Sequence, residues 1–411
     1  MTPVNIVIMG DRFGFPFGTG ASSRVAAYAK GLQAAGARVH VLCVEPSDDE
    51  AAPLNRVAHG RYEGVEFTYT YGRTSRPRGR VRRAVLKLMK WPRFALHAWG
   101  WSREHGGLDA VLAYSFSLRW LVAAALLCRV TGAVCLHEVC ELPFYWEKKR
   151  IVIVVRRWLY YHVIFKAFDG CLVISTYLEK LCRQYLGPGC RTLLVPVLID
   201  GTAPIPRVEP GNAVVYCGSL DHPEVLGLLD IFARVADTFP DVRLKLVGDA
   251  KRAASREGLR RRAASLGIGD RVDYTGHVTR DQLPALLAGA RALVLPRPSG
   301  AFSQAGLPTK VADYLCAGRP VVVSANGDLP RYLTDGEDAY LAPPDDAAAF
   351  ADRLRHVLSE PEQGSAVGAR GRETALRKFD AAVHGARVVQ FVRELHELRG
   401  ETPTGAATGR R

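Results

Sequence analysis

The chain is expected to be an α/β protein built of two doubly wound, Rossmann-like domains facing each other across a cleft. Three observations lead there. Short apolar runs alternate with helix-like stretches along nearly all of the 411 residues. The runs are apolar on both faces, as strands of a parallel sheet covered by helices on both sides must be. The alternation pauses once, near residue 205, in a stretch rich in Pro and Gly, and then restarts.

The elements follow in order. A strand over 4–9 ends at Gly10, a glycine-rich loop carries Gly18 and Gly20, and a helix over 22–35 is stopped by Gly36. Strands are expected at 38–44, 110–113, 133–136, 171–174 and 193–195. After the linker they resume at 214–217, 244–247, 272–274, 292–295 and 321–323. Apolar residues at helical spacing, among them Val388, Phe391, Val392 and Leu395, mark a last helix. The expected domains are 1–205 and 206–375. A helix over 376–399 packs back on the first domain, and 400–411 form a disordered tail.

Composition bounds the function. Nearly half the residues are apolar and 23% are charged, which suits a globular chain and excludes wholesale disorder. Nine cysteines, none in a CxxC pair, read as reduced buried thiols and point to the cytoplasm. Met1-Thr2-Pro3 leads straight into a strand, so no signal peptide is expected. The apolar run 151–165 is broken by Arg156 and Arg157 and falls short of the ~20 residues of a membrane span. The net charge is +14, and between Arg73 and Arg103 ten Lys or Arg occur without an acid. Such a patch fits nucleic acid, an anionic membrane or phosphorylated substrates. No helix-turn-helix, RNA-recognition or zinc-finger pattern accompanies it, so no nucleic-acid partner is expected.

In open α/β sheets ligands bind beyond the carboxyl ends of the strands. One such loop is dense: Pro296-Arg297-Pro298-Ser299-Gly300, then Gly306-Leu307-Pro308-Thr309-Lys310, with a helix starting near Thr309. A helix start favours an anion, and Lys310 in its first turn is ill placed unless an anion is bound there. This half also carries Gly218-Ser219-Leu220, Leu246-Val247-Gly248-Asp249, Gly276-His277-Val278 and Ala317-Gly318-Arg319-Pro320-Val321-Val322. The ordered set, over roughly residues 212 to 345, resembles the GT-B glycosyltransferases of the large retaining family 4. Val173-Ile174-Ser175 and Val195-Pro196-Val197-Leu198-Ile199-Asp200 are similar to that family's interdomain crossing.

The resemblance implies a nucleoside diphosphate sugar as donor, no required cofactor or metal, and front-face displacement without a protein nucleophile. It places Gly18, Gly20, Gly218, Ser219, His277, Val278, Arg297, Gly306, Leu307, Pro308, Thr309 and Asp313 at the donor. Two departures stand out. The first acid of the family's Glu-x7-Glu pair is Ala305, and the second is the shorter Asp313. The basic pair that grips the diphosphate is missing, since its arginine position is Ser219; Lys310 and Arg297 are the candidates to replace it. The alternatives are a catalytically silent relative or a sugar-nucleotide epimerase. A nicotinamide oxidoreductase would need a GxGxxG fingerprint, and Gly18-Thr19-Gly20-Ala21-Ser22-Ser23 stops one glycine short.

In the first half His137 ends the strand 133–136, and the resemblance puts a His there beside the transferred sugar. His137 and Lys310 are therefore the catalytic candidates, with Glu138 and Glu141 on the acceptor side. Residues 80–91 place Val81, Val85 and Leu88 on one helical face and Arg82, Arg83, Lys87 and Lys90 on most of the rest. Lys148, Lys149, Arg150, Arg156 and Arg157 extend the patch. That pattern fits a helix lying on an anionic membrane. The expected acceptor is a hydroxyl, with lipid-linked hydroxyls among the options, and the expected place is the cytoplasm, peripheral on the inner face of the membrane.

Overall fold

A computed structural model describes residues 2–400 except 49–52, 77–78, 146–150, 205, 223 and 251, and leaves out the side chains of 80–88. The chain divides into two compact units, residues 1–200 with 380–411, and residues 201–379. The expected tail and Lys148, Lys149 and Arg150 lie outside the described residues.

The first unit holds an eight-stranded sheet in the order β3-β4-β2-β1-β5-β6-β7-β8. Its strands are β1 (Asn5–Gly10), β2 (Arg38–Cys43), β3 (His59–Tyr62), β4 (Val65–Tyr69), β5 (Ala110–Tyr114), β6 (Val134–Val139), β7 (Gly170–Val173) and β8 (Arg191–Leu194). All neighbours pair parallel except β3 with β4. The β3–β4 hairpin has no counterpart in the sequence reading, because the edge strand His-Gly-Arg-Tyr is polar and exposed and carries no apolar run.

The helices are α1 (Gly20–Ala34), α2 (Arg80–Glu104), α3 (Leu118–Thr131), α4 (Ile151–His162) and α5 (Thr176–Arg183). Parallel crossovers are right-handed. From β1 to β2 the chain moves one way along the sheet; through α2, α3, α4 and α5 it moves the other way. Thus α1 covers one face and α2 to α5 cover the opposite face.

The second unit has a six-stranded parallel sheet, β11-β10-β9-β12-β13-β14. These strands are β9 (Ala213–Cys217), β10 (Arg243–Val247), β11 (Val272–Gly276), β12 (Ala292–Leu295), β13 (Val321–Ser324) and β14 (Tyr340–Ala342). Its helices are α6 (Glu224–Ala236), α7 (Ala253–Ser265), α8 (Leu283–Ala288), α9 (Ala301–Ala305), α10 (Thr309–Cys316), α11 (Leu329–Tyr332), α12 (Ala347–Ser359) and α13 (Pro361–Phe379). The chain then returns to the first unit through α14 (Ala381–Leu398). There α14 packs on α1 so closely that a Cβ at Gly31 would strike the Ala381 carbonyl, and Val388, Phe391, Val392 and Leu395 join the core.

Candidate active site

In the second unit the loops after β9, β10 and β11 meet at the carboxyl ends of the strands. Gly218 N–H donates to the Val247 carbonyl at 2.8 Å, and Gly248 N–H to the Gly276 carbonyl at 3.0 Å. Gly218 and Gly248 have φ of +154° and +129°, and a Cβ on Gly248 would run into the Gly218 carbonyl. Only glycine allows this approach. His277 and Ser219 are exposed beside it, and Val278 is partly covered.

Helix α10 is pinned under this cluster. Cys217 N–H donates to Tyr314 Oη at 2.6 Å, and the Tyr314 ring is fully buried. Lys310 lies four residues before Tyr314, one turn away on the same helix face. Its chain therefore runs beneath the Gly218 turn, where a Cβ would meet Nζ. Lys310 Nζ donates to Tyr216 Oη at 3.1 Å and sits 4.5 Å from the Tyr216 ring centroid. Tyr216 Oη in turn donates to Glu224 Oε1 at 3.2 Å, which lies 3.9 Å from Lys310 Nζ. Asp313, on the same helix, is exposed, as is Thr309; Leu307 is buried, and Gly306 and Pro308 are partly so. No side chain caps the N-terminus of α10.

Arg297, in the loop after β12, is only 9% exposed. Its guanidinium lies 5.2 Å from the Phe302 ring centroid and borders a pocket of about 230 Å³, shared with Glu224, Ser324, Asp345 and Phe350. Burial pulls the pKa of both Lys310 and Arg297 down, and Glu224 opposes it. The two cations thus crowd around Glu224 with little solvent to screen them, and a bound anion would relieve that crowding. The position of the missing first acid, Ala305, is fully buried, so it offers no surface to a ligand. Tyr216, Glu224 and Tyr314 gave no sequence signal, since their roles depend on strand and helix neighbours far along the chain.

The first unit treats its candidates differently. Gly18 and Gly20 are exposed, and α1 begins at Gly20. The strand holding His137 does not end at 136; it continues to Val139, with His137 opposite Ala113 and Cys171. His137 is therefore interior to the sheet and 0% exposed. Nδ1 lies 3.1 Å from the Ala113 carbonyl, which can only accept, so Nδ1 carries the proton. Nε2 then accepts from Tyr160 Oη at 2.7 Å. The ring stacks on Phe168 at 4.9 Å, with Phe116 and Phe165 around it. Burial lowers its pKa to about 4 and keeps it neutral. Where a contact with the transferring sugar was expected, both ring nitrogens are used inside the unit.

Glu138 points to the other face of the sheet, as strand alternation requires. It too is enclosed. Arg24 Nε donates to its Oε1 at 2.7 Å and Tyr28 Oη to its Oε2 at 2.8 Å. The remaining Arg24 nitrogens donate to the carbonyls of Pro196 at 2.7 Å and Val195 at 2.9 Å. Burial pushes the Glu138 carboxyl up while Arg24 pulls it back. Where an acceptor-side position was expected, its carboxylate is enclosed and paired within the unit. Arg24 and Tyr28, spaced i, i+4 on α1, escaped the sequence reading because a lone arginine in a helix reads as surface. Glu141 is half-exposed and paired with Arg12 at 3.4 Å.

Comparison with known proteins bears on the family and the fold. The family model described as glycosyl transferases group 1 matches residues 211–360, and a glycosyl transferase 4-like domain model matches 19–197. The GDP-mannose-dependent alpha-(1-6)-phosphatidylinositol monomannoside mannosyltransferase of Mycolicibacterium smegmatis is 29% identical over 56% of this chain and 64% of that protein. A D-inositol 3-phosphate glycosyltransferase of Streptomyces avermitilis is 31% identical over 36% of this chain and 32% of that protein. The chain thus spans less than two thirds of the length of these curated relatives. In fold it is similar to sucrose-phosphate synthase from Thermosynechococcus elongatus, with 19% identity, a TM-score of 0.70, and coverage of 96% of this chain and 100% of the other. The Anabaena protein HepE, in complex with UDP and glucose, gives 16% identity, a TM-score of 0.66, and coverage of 95% and 99%.

Proposed function

The chain belongs to the group 1 glycosyl transferases with the GT-B fold, and on that footing we propose that it moves a sugar, with retention, from a nucleoside diphosphate sugar to a hydroxyl acceptor. The observation that carries this reading is the crowding of the poorly solvated Lys310 and Arg297 around Glu224, beyond the ends of β9 and β12. As the donor bond breaks, negative charge builds on the departing diphosphate. Fixed cations stabilise that charge most when they are already in place and poorly solvated. Lys310 is held so by Tyr216, and the uncapped N-terminus of α10 adds N–H donors. Asp313, exposed one turn further on, is suited to accept from the ribose hydroxyls.

The acceptor is read as lipid-linked, because the name of one relative refers to a phosphatidylinositol monomannoside and the sequence of α2 is basic, although its Lys90 is buried over the Trp120 ring instead of facing outward. Among the described residues no helix is long and apolar enough to cross a membrane. The test is calorimetry of the full chain with GDP and UDP, followed by turnover with their sugars. Binding of neither nucleotide would reject the reading; binding without transfer from any donor would favour a catalytically silent relative.

A further inference from the structure

Amphipathic helices normally bury their apolar stripe. Helix α4 does the reverse. Tyr160 and Tyr161 face the core, while Ile151, Val152, Val154, Val155 and Trp158 are 82%, 61%, 56%, 51% and 56% exposed. At 100° per residue, Ile151, Val155 and Trp158 share one line along the helix, with Val152 and Val154 on either side. Arg156 and Arg157 flank the stripe, and Arg156 lies 5.4 Å from the Phe144 ring centroid.

The neighbouring helix continues the pattern. On α3, Val122, Leu126 and Val130 recur at i, i+4 and i+8 and are 38%, 54% and 71% exposed. Helices α2, α3 and α4 cover the same face of the sheet, and α2 meets α3 where Trp91 and Trp120 lie 5.1 Å apart. Leu96 and Trp99 of α2 are exposed as well. Glu104 is the only acid in the three helices, against many arginines.

We infer that α4 is an interfacial helix, which lays its apolar stripe into the headgroup boundary of an anionic bilayer. The inference rests on the membrane part of the proposed function but moves the inserting element from the basic start of α2 to α4. Charge selects a bilayer over a second copy of the chain, and length selects lying in its surface over crossing it. The apolar stripe is rimmed by cations with almost no acid, which would repel the same face of another copy but attracts anionic lipid. Its twelve residues span only about 18 Å at 1.5 Å per residue, too short to cross ~30 Å of hydrocarbon but enough to lie in its surface.

The experiment uses the full chain with vesicles of phosphatidylcholine alone or with phosphatidylglycerol, each with and without brominated acyl chains. Sedimentation is expected to show binding that needs the anionic lipid. Brominated chains should quench tryptophan fluorescence, and Trp158→Phe should lower that quenching while keeping binding. A Val155→Glu/Trp158→Glu double variant should lose at least tenfold in vesicle affinity and keep its nucleotide affinity. Equal binding by the double variant, quenching unchanged in Trp158→Phe, no binding by the parent, or a dimer by light scattering that the double variant splits would each overturn the inference. Loss of GDP and UDP binding in the parent would instead strike the donor reading alone.

Discussion

Two places in this molecule put charged and polar side chains at or near a parallel strand, and they end up opposite in kind. On β6, His137 and Glu138 are enclosed and every strong group is answered from within: Tyr160 and Ala113 serve the imidazole, and Arg24 and Tyr28 serve the carboxylate. At β9 and β12, Lys310 and Arg297 are crowded but short of counter-charge, and Lys310 keeps 23% of its side chain exposed. A polar residue in a strand-and-loop pattern is thus no sign of chemistry by itself. What separates scaffold from site is whether the local charge closes on itself.

This contrast can be broken most sharply at Arg24. Arg24→Ala leaves Glu138 charged and unpaired in the core, which should cost about 3–5 kcal/mol. Denaturant unfolding reads it, and nucleotide affinity should stay within about twofold; a loss of under about 1 kcal/mol would contradict the sealed network. His137 gives the next effect, through pH. Its folded pKa of about 4 lies below the ordinary 6.5, so the unfolded chain takes up the proton first and stability falls as pH drops from above 6.5 towards 4. The loss attributable to this one ring is roughly 2–3 kcal/mol between pH 7 and 4. Because His40 is lowered to about 4 as well, the measurement is the difference in acid sensitivity between the parent and His137→Gln. Unchanged acid sensitivity would return His137 to solvent, and a large loss of turnover in folded His137→Gln would return it to the chemistry.

Lys310→Ala tests the open side. A charge-assisted hydrogen bond contributes about 1.5–3 kcal/mol, so nucleoside diphosphate affinity should fall tenfold or more by calorimetry. The melting temperature should barely move, since Tyr216 Oη keeps its hydrogen bond to Glu224 when Lys310 is removed. The smallest effect is expected for Asp313→Ala. Loss of an exposed ribose contact should weaken nucleotide binding by only about three- to tenfold. A larger loss at Asp313 than at Lys310 would shift the anchor from phosphate to ribose.

The strands of both sheets were largely legible, because parallel strands buried on two faces leave continuous apolar runs such as Val214-Val215-Tyr216 and Val321-Val322-Val323. Helix α14 was legible from its helical period. The β3–β4 hairpin was not, and neither was the true end of β6, because a His-Glu pair looks like the start of a loop. Of the candidate site, Gly218 and Lys310 could be read from spacing and from the awkward cation in a helix start. Their meeting over Tyr216 could not.

What the amino-acid order alone determined is the alternation of elements; that β6 runs on through His137 and Glu138, so that they face opposite sides of the sheet, came only with the structure. Whether each side is covered was decided only by tertiary packing. Burial and charge balance depend on residues far along the chain, 114 positions away for Arg24 and Glu138 and 97 for Cys217 and Tyr314. The same holds for α4: its apolar pattern is local, but that the stripe faces outward follows from which side of the helix the tyrosines and the sheet already occupy.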